Sequence, residues 1–421
     1  GERGRRRKQR AVEASQPMAE VPVPTDAAEI TLDELSRRPE IPVEEDDRKD
    51  GQRKAPRLNK YFKAIIKLKT SDLHLKAGLP AMARIKGDLR PLQGGPLSAE
   101  TIREGMWEIF TEKQRLHYEE RGAVDLAYDV GPQGDADRFR VNAFQQRGKM
   151  SVAARRVSRD IRNFEQLYLP ESLERVTHYH QGLVLLAGIT GSGKSTTIAA
   201  MIDHINKRDP VHIVTIEDPI EYLFTDKKAV INQREVGIDV GDFHEALKYL
   251  MRQDPDIVLI GEMRDIETFA AAVHAAETGH LVLGTIHASS SAQTISRILD
   301  LFPAEERRSV RQALEFNLKA IICQKLIPSV HEDVPIVPTV EIMFSNAAVR
   351  KLIREERDNE LIDVIRASYA DGMVDFTEHL RQMVEDGMID HATAYEAAPN
   401  PDELKMALKG IQGRRVGILG G

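Results

Sequence analysis

Eight consecutive residues, Gly188-Ile189-Thr190-Gly191-Ser192-Gly193-Lys194-Ser195, satisfy the spacing G-x-x-x-x-G-K-[ST] in full. Glycines at those positions let backbone N–H groups turn inward around a phosphate. The lysine adds a point charge toward the β- and γ-phosphates, and the Ser195 hydroxyl is placed to ligate Mg²⁺. The motif requires a strand before it and a helix after it. Leu183-Val184-Leu185-Leu186-Ala187 reads as a short buried strand, and Ile198, Met201, Ile202 and Ile205 recur at helical spacing. The candidate nucleotide-binding set is therefore residues 188–195 together with Thr196, and the expected ligand is ATP with Mg²⁺.

Three further stretches set acids or histidines at the ends of apolar segments. Val211 to Ile216 leads into Glu217-Asp218-Pro219-Ile220-Glu221, three acids around a turn-forming proline. Ile257-Val258-Leu259-Ile260 leads into Gly261-Glu262-Met263-Arg264-Asp265, with Gly261 where a Walker B strand usually has aspartate. Leu281 to Ile286 is bracketed by His280 and His287. Open α/β sheets collect ligands at the carboxyl ends of their strands. Hydrolysis of a phosphoanhydride needs a carboxylate to orient or deprotonate water, and Glu262 and Glu217 both fit that need. Spacing alone does not separate their roles. The two histidines either sense a γ-phosphate or satisfy buried carbonyls, and they lack metal-site spacing.

Ordered elements must hold these groups. From residue 181 short apolar strands alternate with helices, the pattern of a mostly parallel sheet, so 181–421 reads as one α/β domain with C-terminal helices. Residues 57–158 read as a small α+β domain, with an amphipathic stretch at 61–66. Its expected strands are 71–75, 83–85, 124–128 and 138–144, and a helix is expected from Ile102 to Gln114. Residues 159–180 read as a linker with a short helix opening after Pro170. Residues 1–56 combine a basic cluster, Arg3 to Arg10, with the acidic run Glu44-Glu45-Asp46-Asp47 and read as a disordered tail. A short capped helix is expected within it at Thr31–Leu35.

Composition narrows the classes. The chain has 421 residues, 41% hydrophobic and 30% charged, with net charge −7, which gives no general attraction to nucleic acid. No nucleic-acid partner is expected. No segment approaches the roughly 18 apolar residues of a membrane span, and no secretory signal is visible, so a cytoplasmic protein without a transmembrane segment is expected. The single cysteine, Cys323, lies in an apolar run, which excludes an internal disulfide and a thiolate metal cluster.

The four blocks, in their order, resemble the Walker A, Asp, Walker B and His boxes of the type II/IV secretion ATPase superfamily. Ser71-Asp72-Leu73-His74-Leu75, Arg138-Phe139-Arg140-Val141-Asn142, Asn232-Gln233-Arg234-Glu235-Val236-Gly237 and Ala276-Glu277-Thr278-Gly279-His280 extend the likeness over about 57–400. It is nearest to the PilT-like retraction ATPases of type IV pili, which drive twitching motility. Ala348 to Glu355 resembles their C-terminal helix motif, and the lone cysteine does not fit the four-cysteine zinc motif of extension and type II secretion relatives. The resemblance implies a PAS-like N-terminal domain followed by a RecA-like P-loop ATPase domain. It further implies a homo-hexameric ring with ATP at subunit boundaries, and peripheral association with the inner membrane through a platform protein. Arg138, Arg140 and Arg147 would then face a neighbouring subunit's nucleotide, whereas simple alternation places Phe139 and Val141 in the core and the arginines toward solvent. Ile189, Ala288 and Ser329 depart from the family's usual proline, threonine and arginine. Alternatives are an accessory pilus or type II secretion paralogue, a RecA-like nucleic-acid translocase, and a non-catalytic ATP-binding ring, the last opposed by the presence of Lys194, Glu217 and Glu262.

Overall fold

The computed structural model describes residues 49–50, 53–85, 87–132 and 136–410. The expected tail therefore lies outside the described residues except at its end, where β1 (Lys49–Asp50) pairs antiparallel with β2 (Arg53–Lys54). The helix expected at Thr31–Leu35 also falls outside them.

The chain divides into two units between Ser158 and Arg159. In the first, β3 (Asp72–Lys76), β4 (Met82–Ile85), β5 (Asp88–Pro91), β6 (Ala123–Val130), β7 (Asp137–Gln146) and β8 (Lys149–Arg156) form one antiparallel sheet in the order β5-β4-β3-β8-β7-β6. Phe139, Val141 and Ala143 of β7 are buried and alternate with half-buried Arg138, Arg140 and Asn142, as a two-residue period requires. They share a core with Phe62 and Ile65 of α1 (Asn59–Lys67) and Ile102 and Met106 of α2 (Ala99–Ile109).

One expected element is corrected. The helix expected over 102–114 ends at Ile109, and a second helix, α3 (Glu112–Arg121), begins at once. The cause is a capping box at Thr111. Its hydroxyl accepts from Gln114 N–H at 3.3 Å, and the Gln114 side chain accepts from Thr111 N–H at 2.9 Å, so two N–H groups that a helix start leaves unpaired are satisfied reciprocally.

In the second unit, β9 (Gly182–Ala187), β10 (His212–Glu217), β11 (Val230–Glu235), β12 (Ile257–Ile260), β13 (Leu281–Ile286), β14 (Leu318–His331) and β15 (Val334–Phe344) form a seven-stranded sheet in the order β11-β10-β12-β13-β9-β14-β15. All neighbours are parallel except β15, which returns antiparallel along β14. Parallel strands need crossovers, and α4 (Lys194–Arg208), α5 (Phe243–Leu250), α6 (Ile266–Glu277), α7 (Ser291–Asp300) and α8 (Arg307–Asn317) fall between them in sequence. The sheet is covered accordingly: β9, β12 and β13 are buried throughout, which is why they read as continuous apolar runs. Between 159 and 180, Phe164, Leu169, Leu173 and Val176 enter this same core.

The C-terminal region divides between the main core and a smaller one of its own. Helix α9 (Ala347–Arg354) buries Val349, Leu352 and Ile353, and is followed by α10 (Leu361–Ala367). Helices α11 (Phe376–Glu385), α12 (His391–Ala397) and α13 (Pro401–Leu408) bury Leu380, Ala394 and Leu404 together with Ile327 and Val337 of the β14–β15 hairpin.

Candidate active site

Strand register decides which residues meet. Ile216 is level with Ile260, Ile260 with Gly284, and Ile286 with Ala187, so β10, β12, β13 and β9 finish along one edge. The segments leaving that edge are Glu217–Glu221, Gly261–Arg264, His287 and the phosphate loop. His280 is at the opposite edge, where its carbonyl accepts from Gly182 N–H at 3.0 Å and its Nδ1 lies 2.9 Å from the Ala275 carbonyl oxygen. Seven residues of extended chain, at about 3.3 Å each, hold it roughly 23 Å from His287. The structure therefore does not bring His280 to the phosphate loop, and the even treatment of the two histidines is corrected by the parallel register.

The loop itself is a backbone cradle closing onto the first turn of α4. Gly191 and Gly193 have φ of +79° and +87°, a region that side-chain-bearing residues rarely adopt. Lys194 Nζ donates to the carbonyls of Gly188 at 2.7 Å and Ile189 at 3.0 Å. Burial lowers the Lys194 ammonium from its usual range, and the Glu262 charge opposes that shift. Ile189, Thr190, Gly191 and Ser195 are exposed. Thr196 Oγ1 lies 2.8 Å from the Tyr222 hydroxyl, so this residue ties the loop helix to the acid turn. Such a loop fits a polyphosphate. Among the described residues no group of three or more His, Cys, Asp or Glu side chains could hold a metal ion; exposed Ser195 is the residue that would ligate Mg²⁺ carried by a bound phosphate.

The two acids occupy opposed environments. Glu217 is buried, which pushes its carboxyl up, although Thr215 Oγ1 at 2.7 Å, Gln233 Nε2 at 3.1 Å and the Glu221 backbone N–H all donate to it. Gln233 also donates to the Tyr222 carbonyl at 2.8 Å, so Glu217 and Gln233 together brace the acid turn. Glu262 accepts from Arg264 Nη2 at 2.5 Å, and this bond, with the charges of Arg264, His287 and Lys194, holds its carboxyl below the usual range against a burial penalty. Glu262 thus stays ionised at neutral pH while Glu217 is biased toward its neutral form, and pairs pushed apart in this way take different chemical roles. Gly261 has a steric reason to lack a side chain: a Cβ there would stand 3.0 Å from the Ile216 carbonyl oxygen and 3.2 Å from Glu217 Cα.

Several neighbours were not identified from the sequence. Tyr222, Gln233, Arg264 and Gln324 all touch site residues. Arg264 and Tyr222 lie within two residues of candidate acids and Gln233 lies in the family-like string 232–237, whereas Gln324 carries no local signal. Arg138, Arg140 and Arg147 belong to the first unit. Arg138 Nη1 lies 3.9 Å from Asp129 Oδ2, and exposed Arg147 occupies the β7–β8 turn with φ +49°.

A parallel sheet with a phosphate loop at its carboxyl edge and an ionised Walker B glutamate beside it defines a RecA-like P-loop ATPase. The chain belongs to the type II/IV secretion system protein family, whose model matches residues 47–386. It is 43% identical over 334 residues to the type IV pilus retraction ATPase PilT of Pseudomonas aeruginosa, covering 79% of this chain and 96% of that protein. It is 38% identical over 349 residues to a twitching motility protein of Neisseria gonorrhoeae, covering 82% and 92%. The crystal structure of the pilus retraction motor PilT with bound ADP superposes with a TM-score of 0.75 at 40% identity, covering 83% of this chain and 98% of that one. This chain is accordingly a nucleotide-binding ATP hydrolase with a sheet-rich N-terminal unit and a parallel-sheet ATPase unit. Among the described residues no helix is long and apolar enough to cross a membrane.

Proposed function

We propose that the chain is the ATP-hydrolysing motor of type IV pilus retraction, assembled as a homo-hexameric ring at the cytoplasmic face of the inner membrane. There it would act on an inner-membrane platform protein. The observation that carries the reading is the meeting of Lys194, Glu262 and His287 at one sheet edge, in a chain so similar to named retraction ATPases. The loop N–H groups and Lys194 bind the triphosphate. Mg²⁺, touching Ser195, would neutralise charge on the phosphates. Glu262 orients the attacking water, Glu217 braces the acid turn, and His287 contacts both the loop and Glu262. Arg138, Arg140 or Arg147 would complete the site of an adjacent subunit.

Phosphate release by the full chain tests the chemistry, and pilus retraction in cells of the source organism tests the motor. Lys194→Ala should abolish both, because it removes a charge aimed at the transferring phosphoryl group. Unchanged turnover in that variant would overturn the assignment, while hydrolysis without any effect on pili would favour an accessory paralogue.

A further inference from the structure

Gln324 is the first residue of β14 beyond its paired register with β9, whose last pair is Cys323 with Ala187, so it stands beside the start of the phosphate loop. Its side chain is 3% exposed and lies between Ser192, also 3% exposed, and Thr197, 1% exposed. Gln324 Nε2 donates to the Ser192 carbonyl at 2.8 Å, and Thr197 Oγ1 donates to Gln324 Oε1 at 2.8 Å. The orientation of the amide is fixed by chemistry. A carbonyl only accepts, so the nitrogen must face Ser192, and the oxygen is left for a hydroxyl that can donate.

Two loop glycines leave room for this residue. A Cβ on Gly193 would come within 2.6 Å of Gln324 Nε2, and one on Gly188 within 2.6 Å of the Gln324 carbonyl oxygen. The loop is therefore moulded against Gln324 by side chain and backbone alike. In a trans peptide the C=O and the following N–H point in opposite directions. Anchoring the Ser192 carbonyl on Gln324 thus turns the Gly193 N–H away from β14.

We infer that Gln324 is a positioning residue of the phosphate loop, whose amide fixes the Ser192–Gly193 peptide so that Gly193 N–H faces the phosphates. The inference rests on the ATPase reading and adds to it the group that sets the loop's donors. The N–H it orients serves the bound triphosphate before and during transfer, so its loss weakens binding more than turnover. Leucine in its place leaves both the Ser192 carbonyl and the Thr197 hydroxyl without that partner. Glutamate keeps the volume but, when ionised, cannot donate to Ser192. Burial favours its neutral form, and the protonated acid regains the missing donor.

The test uses full-length wild type, Gln324→Leu and Gln324→Glu, read by steady-state phosphate release and by direct titration with a fluorescent ATP analogue. Gln324→Leu should raise KM and Kd about tenfold with kcat changed less than about threefold. Gln324→Glu should show the same deficit near pH 8 and recover toward wild type near pH 6, after division by the wild type's own change. An unchanged KM and Kd in Gln324→Leu overturns the inference, as does a fall in kcat with KM fixed, the sign of an assembly defect. Should Gln324→Leu fail to fold, the isosteric Gln324→Glu decides: a Kd deficit that does not shrink between about pH 8 and pH 6 overturns the inference. The titration also separates the two readings, since a wild type that binds the analogue without hydrolysing ATP strikes the motor and leaves the loop measurement intact.

Discussion

His287 bridges the phosphate loop and Glu262: its Nδ1 lies 3.2 Å from the Gly188 carbonyl oxygen and its Nε2 lies 3.0 Å from Glu262 Oε1. A carbonyl accepts and an ionised carboxylate accepts, so both contacts are hydrogen bonds only when both ring nitrogens carry protons. The ring therefore spans the gap between the loop that holds phosphate and Glu262. With Arg264 on its other oxygen, Glu262 is fixed from two directions.

Glu262→Gln should retain ATP binding and lower kcat by about 10²–10⁴, the range expected when a positioned acid–base group is lost. Glu217→Gln should cost less in kcat, about tenfold, because the buried carboxyl acts through the acid turn. It should also lower the melting temperature, since a glutamine amide cannot accept from all three donors that meet Glu217. Single-turnover hydrolysis and nucleotide titration on both variants check the ordering, and the reverse ordering would exchange the two roles.

Arg140 provides a test between subunits. An arginine reaching a neighbour's nucleotide contributes about 10³–10⁵ in rate where it operates. Arg140→Ala subunits and Lys194→Ala subunits should each be inactive alone and should recover part of the activity when mixed. No recovery at any ratio would leave Arg140 as a half-buried residue of the β7 surface.

Helix α9 offers a test of coupling between hydrolysis and retraction. Its buried face consists of Val349, Leu352 and Ile353 at helical spacing, and Arg350 and Lys351 are exposed. Arg354 is exposed as well, and it pairs with buried Glu315 at 2.9 Å. Replacing Arg350 and Lys351 by alanine should leave ATPase activity within about twofold and stability nearly unchanged, as for surface substitutions generally, while pilus retraction fails. Retraction that persists, or ATPase activity that falls together with ring assembly, would make α9 structural.

A pH effect on stability arises at His379 of α11. Burial lowers its imidazole to about 4, with only the Glu378 charge opposing, and its Nδ1 accepts from Val340 N–H at 3.1 Å. The unfolded chain, with histidine near 6.5, takes up the proton first as pH falls. The folded state should therefore lose stability between about pH 6.5 and pH 4 and hold it above that window. Melting temperature against pH should show this slope, and His379→Gln should flatten it. An equal slope in the variant would assign the effect to other groups.

The phosphate loop and its flanking strand and helix were legible because motif, apolar run and helical spacing lie within twenty-odd residues. Glu262 was legible for the same reason. The helix break at Phe110 was written in Thr111 and Gln114, but the amphipathic pattern running through them masked it. His280 and His287 look equivalent in sequence, and only the parallel register separates their edges. The β14–β15 hairpin escaped because Ala320 to Cys323 is an apolar run without alternation, buried on both faces. Gln324 meets Ser192 across 132 positions of chain, a distance no local pattern spans.

Strand β14 continues well past Gln324. Its outer half pairs with β15 through Pro328 and Ile336, places Ile327 among the C-terminal helices, and is pinned by Val330 N–H to the Met388 carbonyl at 3.0 Å. Six residues of extended chain, about 20 Å, separate that pin from the amide on the phosphate loop. A hydrogen-bonded two-stranded ribbon resists bending far better than a loop of the same length. The hairpin thus runs from the nucleotide edge at one end to the C-terminal helices at the other, so one strand carries both the amide on the phosphate loop and a wall of the helical core.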